Sequence, residues 1–225
     1  MEAGGVDADE RRRGGVNFRV YPQCLPERGL RPASRRHSLD LHRPANERVA
    51  LGSEATGLDT RRDEIVAIAA VHIQGKRLFT SERLELLVRP DKRAVTPEAV
   101  RVHQLRERDV AQGIASEDAV QRLLRFIGSR PLVGDYLEFD VAMIDRVLFP
   151  MLGMGLPQPK IEVSALYYDF KNRQRTGYER EAAIDLRFDT LMKDLGLPTR
   201  PAHDALSDAV MAAGLAFLKL RGLVE

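Results

Sequence analysis

Apolar positions along this chain follow a strand-like rhythm first and a helix-like rhythm afterwards, with no rhythm at all before about position 46. The run "RVALG" is short, apolar and closed by a glycine, and "DEIVAIAAVHIQG" is nearly continuous in apolar residues. Such a run predicts a strand covered on both faces. Gly75 and Lys76 then predict a hairpin turn, and "RLFTSERLELLVRP" reads as the partner strand. Three strands therefore meander in sequence. "TPEAVRVHQL" opens a helix with Thr96 as N-cap and Pro97 in the first turn. "SEDAVQRLLRFIGS" predicts a second helix capped by Ser116 and ending near Gly128.

The second half continues with "PLVGD" as a short buried strand and "EFDVAMIDRVLFPML" at helical spacing. "IEVSAL" predicts another strand, and "DLRFDTLMKDLGL" a helix that stops at Gly196 and Pro198. "HDALSDAVMAAGLAFLKLRG" predicts a long final helix whose small and apolar residues face a sheet. Strands, helices, strand, helix, strand and helices in that order make an α/β layer architecture with a mixed sheet.

Composition refines this picture in three ways. With 225 residues and 44% hydrophobic content, the chain suits one domain with appendages. Residues 1–45 are rich in Arg, Gly, Pro and Ser, so we read them as a flexible or partly ordered extension and 46–225 as the globular domain. The overall charge of +2 gives no argument for nucleic acid, but its distribution is uneven. Between Arg11 and Arg48, ten arginines meet only Glu27, Asp40 and Glu47, and there is no lysine. That segment is a solvated tail or a phosphate-attracting arm. A lone Cys24 excludes an internal disulfide and a cysteine-based zinc site. No apolar run approaches the ~20 residues of a membrane span, and "RRRGGVNFRV" leads into polar sequence. The expectation is a soluble, cytoplasmic protein without membrane contact.

Candidate chemistry lies in acids at strand and helix ends. Glu54 follows the first strand, and Thr56, Gly57 and Leu58 make a turn whose backbone could approach a nucleotide. Asp140 falls in the first turn of a helix that follows a strand, and "HDALSD" places His203 and Asp208 at the head of the last helix. Carboxylate oxygens are hard ligands that suit Mg²⁺ or Mn²⁺, and a histidine there can act as general base. Each residue also has a plainer reading. Glu54 could be a turn acid, Asp140 a partner of the helix dipole, and Asp204 an N-terminal helix charge. His72 and His103 read as structural, and Tyr136 as a base-stacking or a packing residue.

The segments "SEATGLDTRRDEIVAIAAVHI", "VTPEAVRVHQL", "LVGDYLEFDVAMID" and "AHDALSDAVMAA" together resemble the motifs of the DnaQ-like (DEDDh) 3′–5′ exonucleases. That group includes the proofreading epsilon subunit of bacterial DNA polymerase III. The resemblance covers roughly 47–220 and implies an RNase H-like fold with a mixed five-stranded sheet. It implies Mg²⁺ or Mn²⁺ and action on the 3′ end of single-stranded DNA or RNA, with a DNA polymerase or another protein as partner. Glu54, Asp140 and Asp208 would then be metal ligands, Glu54 and His203 catalytic residues, and Thr56, Gly57 and Leu58 the nucleotide contacts.

This chain departs from the motifs at defined places. The first motif of the family reads Asp-x-Glu, with the Asp bridging two metals, and Gly52 stands in its place. The pair before the second-motif acid is usually His-Asn and is Asp135–Tyr136 here. Glu162 stands where the family often has an Asp. Loss of the bridging carboxylate implies a weakened or absent activity, with Asp135 as candidate replacement and Gly52→Asp as the expected repair. An inactive nucleic-acid- or partner-binding module of the same fold is the alternative.

Overall fold

The computed structural model describes residues 46–176, 183–198 and 204–222. The Arg-rich extension, with His37 and His42, lies outside them. The sheet has five strands in the order β3-β2-β1-β4-β5. They are β1 (Glu47–Ala55), β2 (Ile65–Gln74), β3 (Arg77–Leu87), β4 (Leu132–Gly134) and β5 (Lys160–Glu162). β1, β2 and β3 form the antiparallel meander, and β4 and β5 add in parallel on the other side of β1. The mixed five-stranded sheet expected from the sequence is therefore present.

Helices α1 (Pro97–His103), α2 (Glu107–Val110) and α3 (Ser116–Ile127) connect β3 to β4. The Thr96 hydroxyl accepts the Ala99 N–H at 3.1 Å, the side-chain cap its position predicts. α4 (Leu137–Leu152) joins β4 to β5, and α5 (Val163–Gln174) and α6 (Phe188–Asp194) follow. The final helix begins as α7 (Ala205–Asp208), widens into a π-helical segment at Ala209–Ala216, and ends as α8 (Phe217–Leu220).

Alternation along β1 assigns its two faces. Val49 and Leu51 join a core formed with Leu123, Ile127, Met143 and Ile144 of α3 and α4. Ala50 points the other way, into a core with Tyr167, Leu191, Met211 and Phe217. The sheet is thus covered on both sides, as the continuous apolar character of β2 requires.

Gly52 shares the second face with Ala50 and Glu54. Its neighbour in register on β2 is Ala69, and that of Glu54 is Ala67. These small residues leave a shallow place on the sheet, and Ala205 packs there with Ala67 and Ala69. The approach is close. A Cβ on Gly52 would lie 2.8 Å from the Ala205 carbonyl oxygen and 3.3 Å from the Ala209 nitrogen. Gly52 is therefore required by space, and its φ lies outside the left-handed region.

Several expectations from the sequence change. The first strand does not end at the glycine but runs through it to Ala55, because Gly52, Ser53 and Glu54 continue the pairing with Ala69, Ile68 and Ala67 of β2. "IEVSAL" is a strand only to Glu162. From Val163 it is α5, a helix the sequence pattern does not predict, whose N-terminal N–H of Ser164 is accepted by Glu162. Ser116 is the first residue of α3, and Ala115 is its cap.

Gly52→Ala should destabilise the protein by about 1–3 kcal/mol, the range of overpacking in a filled interior. The clash is with helix backbone, which cannot rotate aside like a side chain. Urea unfolding of the two proteins measures this, and an alanine variant as stable as wild type would contradict the close seating.

Candidate functional site

β1 carries the first site acid within the strand itself. The β1–β2 register shifts between Glu54 and Ala55, a bulge that ends regular pairing. Glu54 is buried and lines a cleft of about 390 Å³ together with Ala69, Glu85, His103, Asp204 and Ala205. His103 ties α1 to this place, with Nε2 3.2 Å from the Ala55 carbonyl and Nδ1 accepting the Leu105 N–H at 3.1 Å. It is buried, so the structural reading of His103 fits its surroundings.

The following turn is held from inside. Thr56 is fully buried. Its N–H donates to the Glu64 carbonyl at 2.8 Å, its hydroxyl accepts the Glu64 N–H at 3.0 Å, and its carbonyl accepts from the Thr96 hydroxyl at 3.1 Å. A Cβ on Gly57 would collide with the Asp63 carboxylate. Thr56 and Gly57 shape the turn, and Leu58 is its outward residue, 65% exposed.

On the neighbouring strand, β4 pairs Val49 with Leu132 and Ala50 with Val133. Continued by two residues, one past the end of β4 at Gly134, that parallel register would set Asp135 beside Gly52. Val133 shares the core on the Ala50 side, so alternation puts Asp135 on the face where the vacant carboxylate would stand. Its Oδ1 is buried without a hydrogen-bond partner among the described residues. Asp140, buried in the first turn of α4, accepts a 2.5 Å hydrogen bond from the Ser53 hydroxyl. No pattern in the sequence signals that pair. Glu162 accepts the N–H groups of Tyr136 at 3.0 Å and Leu137 at 2.8 Å, and the Ser164 N–H at 3.2 Å. It fastens the starts of α4 and α5.

Asp208 ends α7, and Asp204 caps that helix by accepting the Ser207 N–H at 3.2 Å. The N-terminal helix charge read for Asp204 is what the structure shows. His203 lies outside the described residues. Burial, then repulsion from Asp208, Asp140 and Asp204, pushes the Glu54 carboxyl up to about 8. Burial, then Glu162 and Asp208, lifts Asp135 to about 7. Asp140 also rises to about 7, through burial that outweighs the Ser53 hydrogen bonds. Asp208 is therefore the shared neighbour of Glu54, Asp135 and Asp140, and Glu54 also feels Asp140.

Fold, motif order and this acid edge point the same way as the known relatives. The RNase_T exonuclease family model matches residues 49–216. The chain belongs to this exonuclease family. A DNA polymerase III subunit epsilon-like protein of Rhodobacter capsulatus is 31% identical over 178 residues, covering 76% of this chain and 23% of that protein. DNA polymerase III subunit epsilon of Aquifex aeolicus is 25% identical over 175 residues, covering 76% and 79% respectively. The exonuclease chain thus spans about a quarter of the first relative and most of the second. Among solved structures, Exonuclease X in complex with 5′ overhanging duplex DNA aligns with a TM-score of 0.58 at 24% identity, over 77% of this chain and 90% of that one. Escherichia coli Exonuclease I in complex with a dA16 oligonucleotide aligns at 0.63 and 16% identity, over 78% and 40%. These two share the fold.

Exonucleases of this family depend on divalent metal, and the acids of this chain can be held against that need. Among the described residues, no three His, Cys, Asp or Glu side chains come together closely enough to hold an ion. Asp140 is engaged by Ser53, Glu162 by backbone N–H groups, and helix backbone fills the side of Gly52 where a bridging carboxylate would stand. The side chains of the described residues, as arranged, do not fit a pair of bridged ions. The repair expected of Gly52→Asp is corrected on the same ground, since the carboxylate has no room.

Carboxyls near 7 to 8 in the fold and near 4 in the unfolded chain hold protons that the unfolded chain has released. Stability from these groups therefore falls as pH rises from about 4 through 8. In EDTA, Asp135→Asn and Glu54→Gln should raise the melting temperature most at pH 8.5, by about 2–4 °C per kcal/mol recovered. The gain should fade toward pH 4.5, and a gain independent of pH in thermal unfolding would contradict the burial of these acids.

Proposed function

We propose that this exonuclease-family chain holds the 3′ end of a single-stranded nucleic acid at the carboxyl edge of β1 and β4, and that its metal-dependent cleavage is weak or absent. The observation that carries this reading is the α7 backbone seated on Gly52 at 2.8 Å from a would-be Cβ. An ion is useful in phosphodiester cleavage only where its ligands fix it, because its position sets which oxygens it stabilises. With the bridging ligand gone and its space filled, that requirement is not met. Open sheets bind ligands outside the carboxyl ends of their parallel strands, and Leu58 stands there beside Glu54 in the place the resemblance gives to a nucleotide contact.

Acids near phosphates repel them unless neutralised. Here burial and mutual repulsion raise Glu54, Asp135 and Asp140 to about 7 to 8. Near neutral pH a large share of that charge is protonated, so a strand end can approach without a cation. In this reading His203 and Asp208 are relics of the reaction that supply whatever cleavage remains. The dA16 complex of Exonuclease I and the epsilon-type relatives support single-stranded DNA as ligand and a polymerase as partner. No helix of the described residues is long and apolar enough to cross a membrane.

The buried, unpartnered oxygen of Asp135 beside Gly52 favours a second reading, in which Asp135 has taken over the vacant role and cleavage persists.

The test follows a 5′-labelled single strand with Mg²⁺ or Mn²⁺, together with its binding in EDTA. Binding without metal is expected, weakening several-fold from pH 6 to 8.5 as the acids ionise. Only slow shortening is expected, and His203→Ala should remove it and leave binding intact. Robust shortening that Asp135→Ala abolishes would establish the second reading. Shortening indifferent to Glu54, Asp135 and Asp208 would remove the site altogether.

A further inference from the structure

Tyr136 is the half-exposed aromatic at the acid edge, and holding a strand end by the acids and Leu58 leaves it without a task. It follows Asp135 directly and precedes α4, and it is 50% exposed. Its backbone is left-handed, φ 55° and ψ 35°, a conformation that bulky side chains seldom adopt and that Asn adopts more readily. Two contacts among the described residues hold it there. The Glu162 carboxylate accepts the N–H groups of Tyr136 and Leu137, and the ring lies nearly parallel to that of Phe139, with centroids 5.9 Å apart and 11° between planes. Phe139 in turn packs on the core beneath α3 and α4. An acid that could have pointed at the site instead fixes an exposed ring against a half-buried one.

We propose that Tyr136 is a stacking platform for a nucleobase near the 3′ end of the bound single strand, with Phe139 as its rigid backing. This deepens the proposed function and rests on it. β1 and β4 are parallel neighbours, so Leu58, four residues beyond Glu54, and Tyr136, one beyond Asp135, leave the sheet at the same edge. Both are exposed, Leu58 at 65% and Tyr136 at 50%. A ring offered this way takes any base, because every base has a π-face, and the preference is for single strands whose bases are unstacked. A turn needing only this backbone would be better served by Asn or Gly.

The experiment uses the full chain in EDTA and single-stranded oligonucleotides carrying 2-aminopurine at the terminal or the penultimate 3′ position. Wild type should quench the fluorescence of one of them on binding. Tyr136→Phe should bind and quench like wild type. Tyr136→Asn should melt no lower than wild type, bind about 10-fold or more weakly, as expected for the loss of one stacked base, and lose the quench. An abasic site at the quenched position should bring wild type down to the Asn variant. If wild type binds and Tyr136→Asn binds equally well, the platform is overturned and the binding function stands. If wild type binds no single strand at any pH tested, the proposed function and the platform fail together.

Discussion

Ala205 lies against β1 across Gly52 with no room for a methyl group between them, and most features of the site follow from that contact. A helix normally stands about 10 Å from the sheet it covers because side chains separate them, as they separate stacked sheets. Here Gly52, Ala67 and Ala69 supply almost no side chain, so the helix start settles onto the strand. That brings Asp204 and Asp208 near Glu54 and closes the space a bridging carboxylate would fill. The wider turns of Ala209–Ala216 begin at Ala209, whose nitrogen still faces Gly52, and π-helical turns are frequent near functional positions.

The acid edge is therefore a low-dielectric cluster of like charges. Burial is the leading cause of each raised carboxyl, and neighbouring acids add to it. The Ser53 hydroxyl donates to Asp140 and works against that rise there. The proposed strand-end binding rests on this arrangement and not on the fold, which hosts more than one function.

Much of this is legible in the sequence. The strand meander, the Thr96 cap and the order of motifs rest on local chemistry: periodicity, a capping hydroxyl, acids at strand ends. Glu54, Asp140 and Asp208 stand out by such signals, and the absence of an acid at Gly52 can be read directly. The role of Gly52 cannot. In sequence it looks like a strand end and a repairable gap, because what it accommodates is Ala205, 153 residues further along the chain. The Ser53–Asp140 pair, separated by 87 residues, is hidden for the same reason. Helix α5 escapes the sequence pattern because its apolar residues are weakly periodic and because β5 runs into it at Glu162 without a break. Glu162 looks like a ligand by motif position and is a cap by geometry, a distinction that only the Tyr136, Leu137 and Ser164 N–H groups reveal.

Calorimetric titration of Mn²⁺ into wild type and into Gly52→Asp tests the central claim most directly. The account predicts weak or no binding by both proteins, with the Asp variant less stable because its side chain meets the α7 backbone. A Gly52→Asp variant that folds as stably as wild type, takes up two ions and shortens single strands would contradict it.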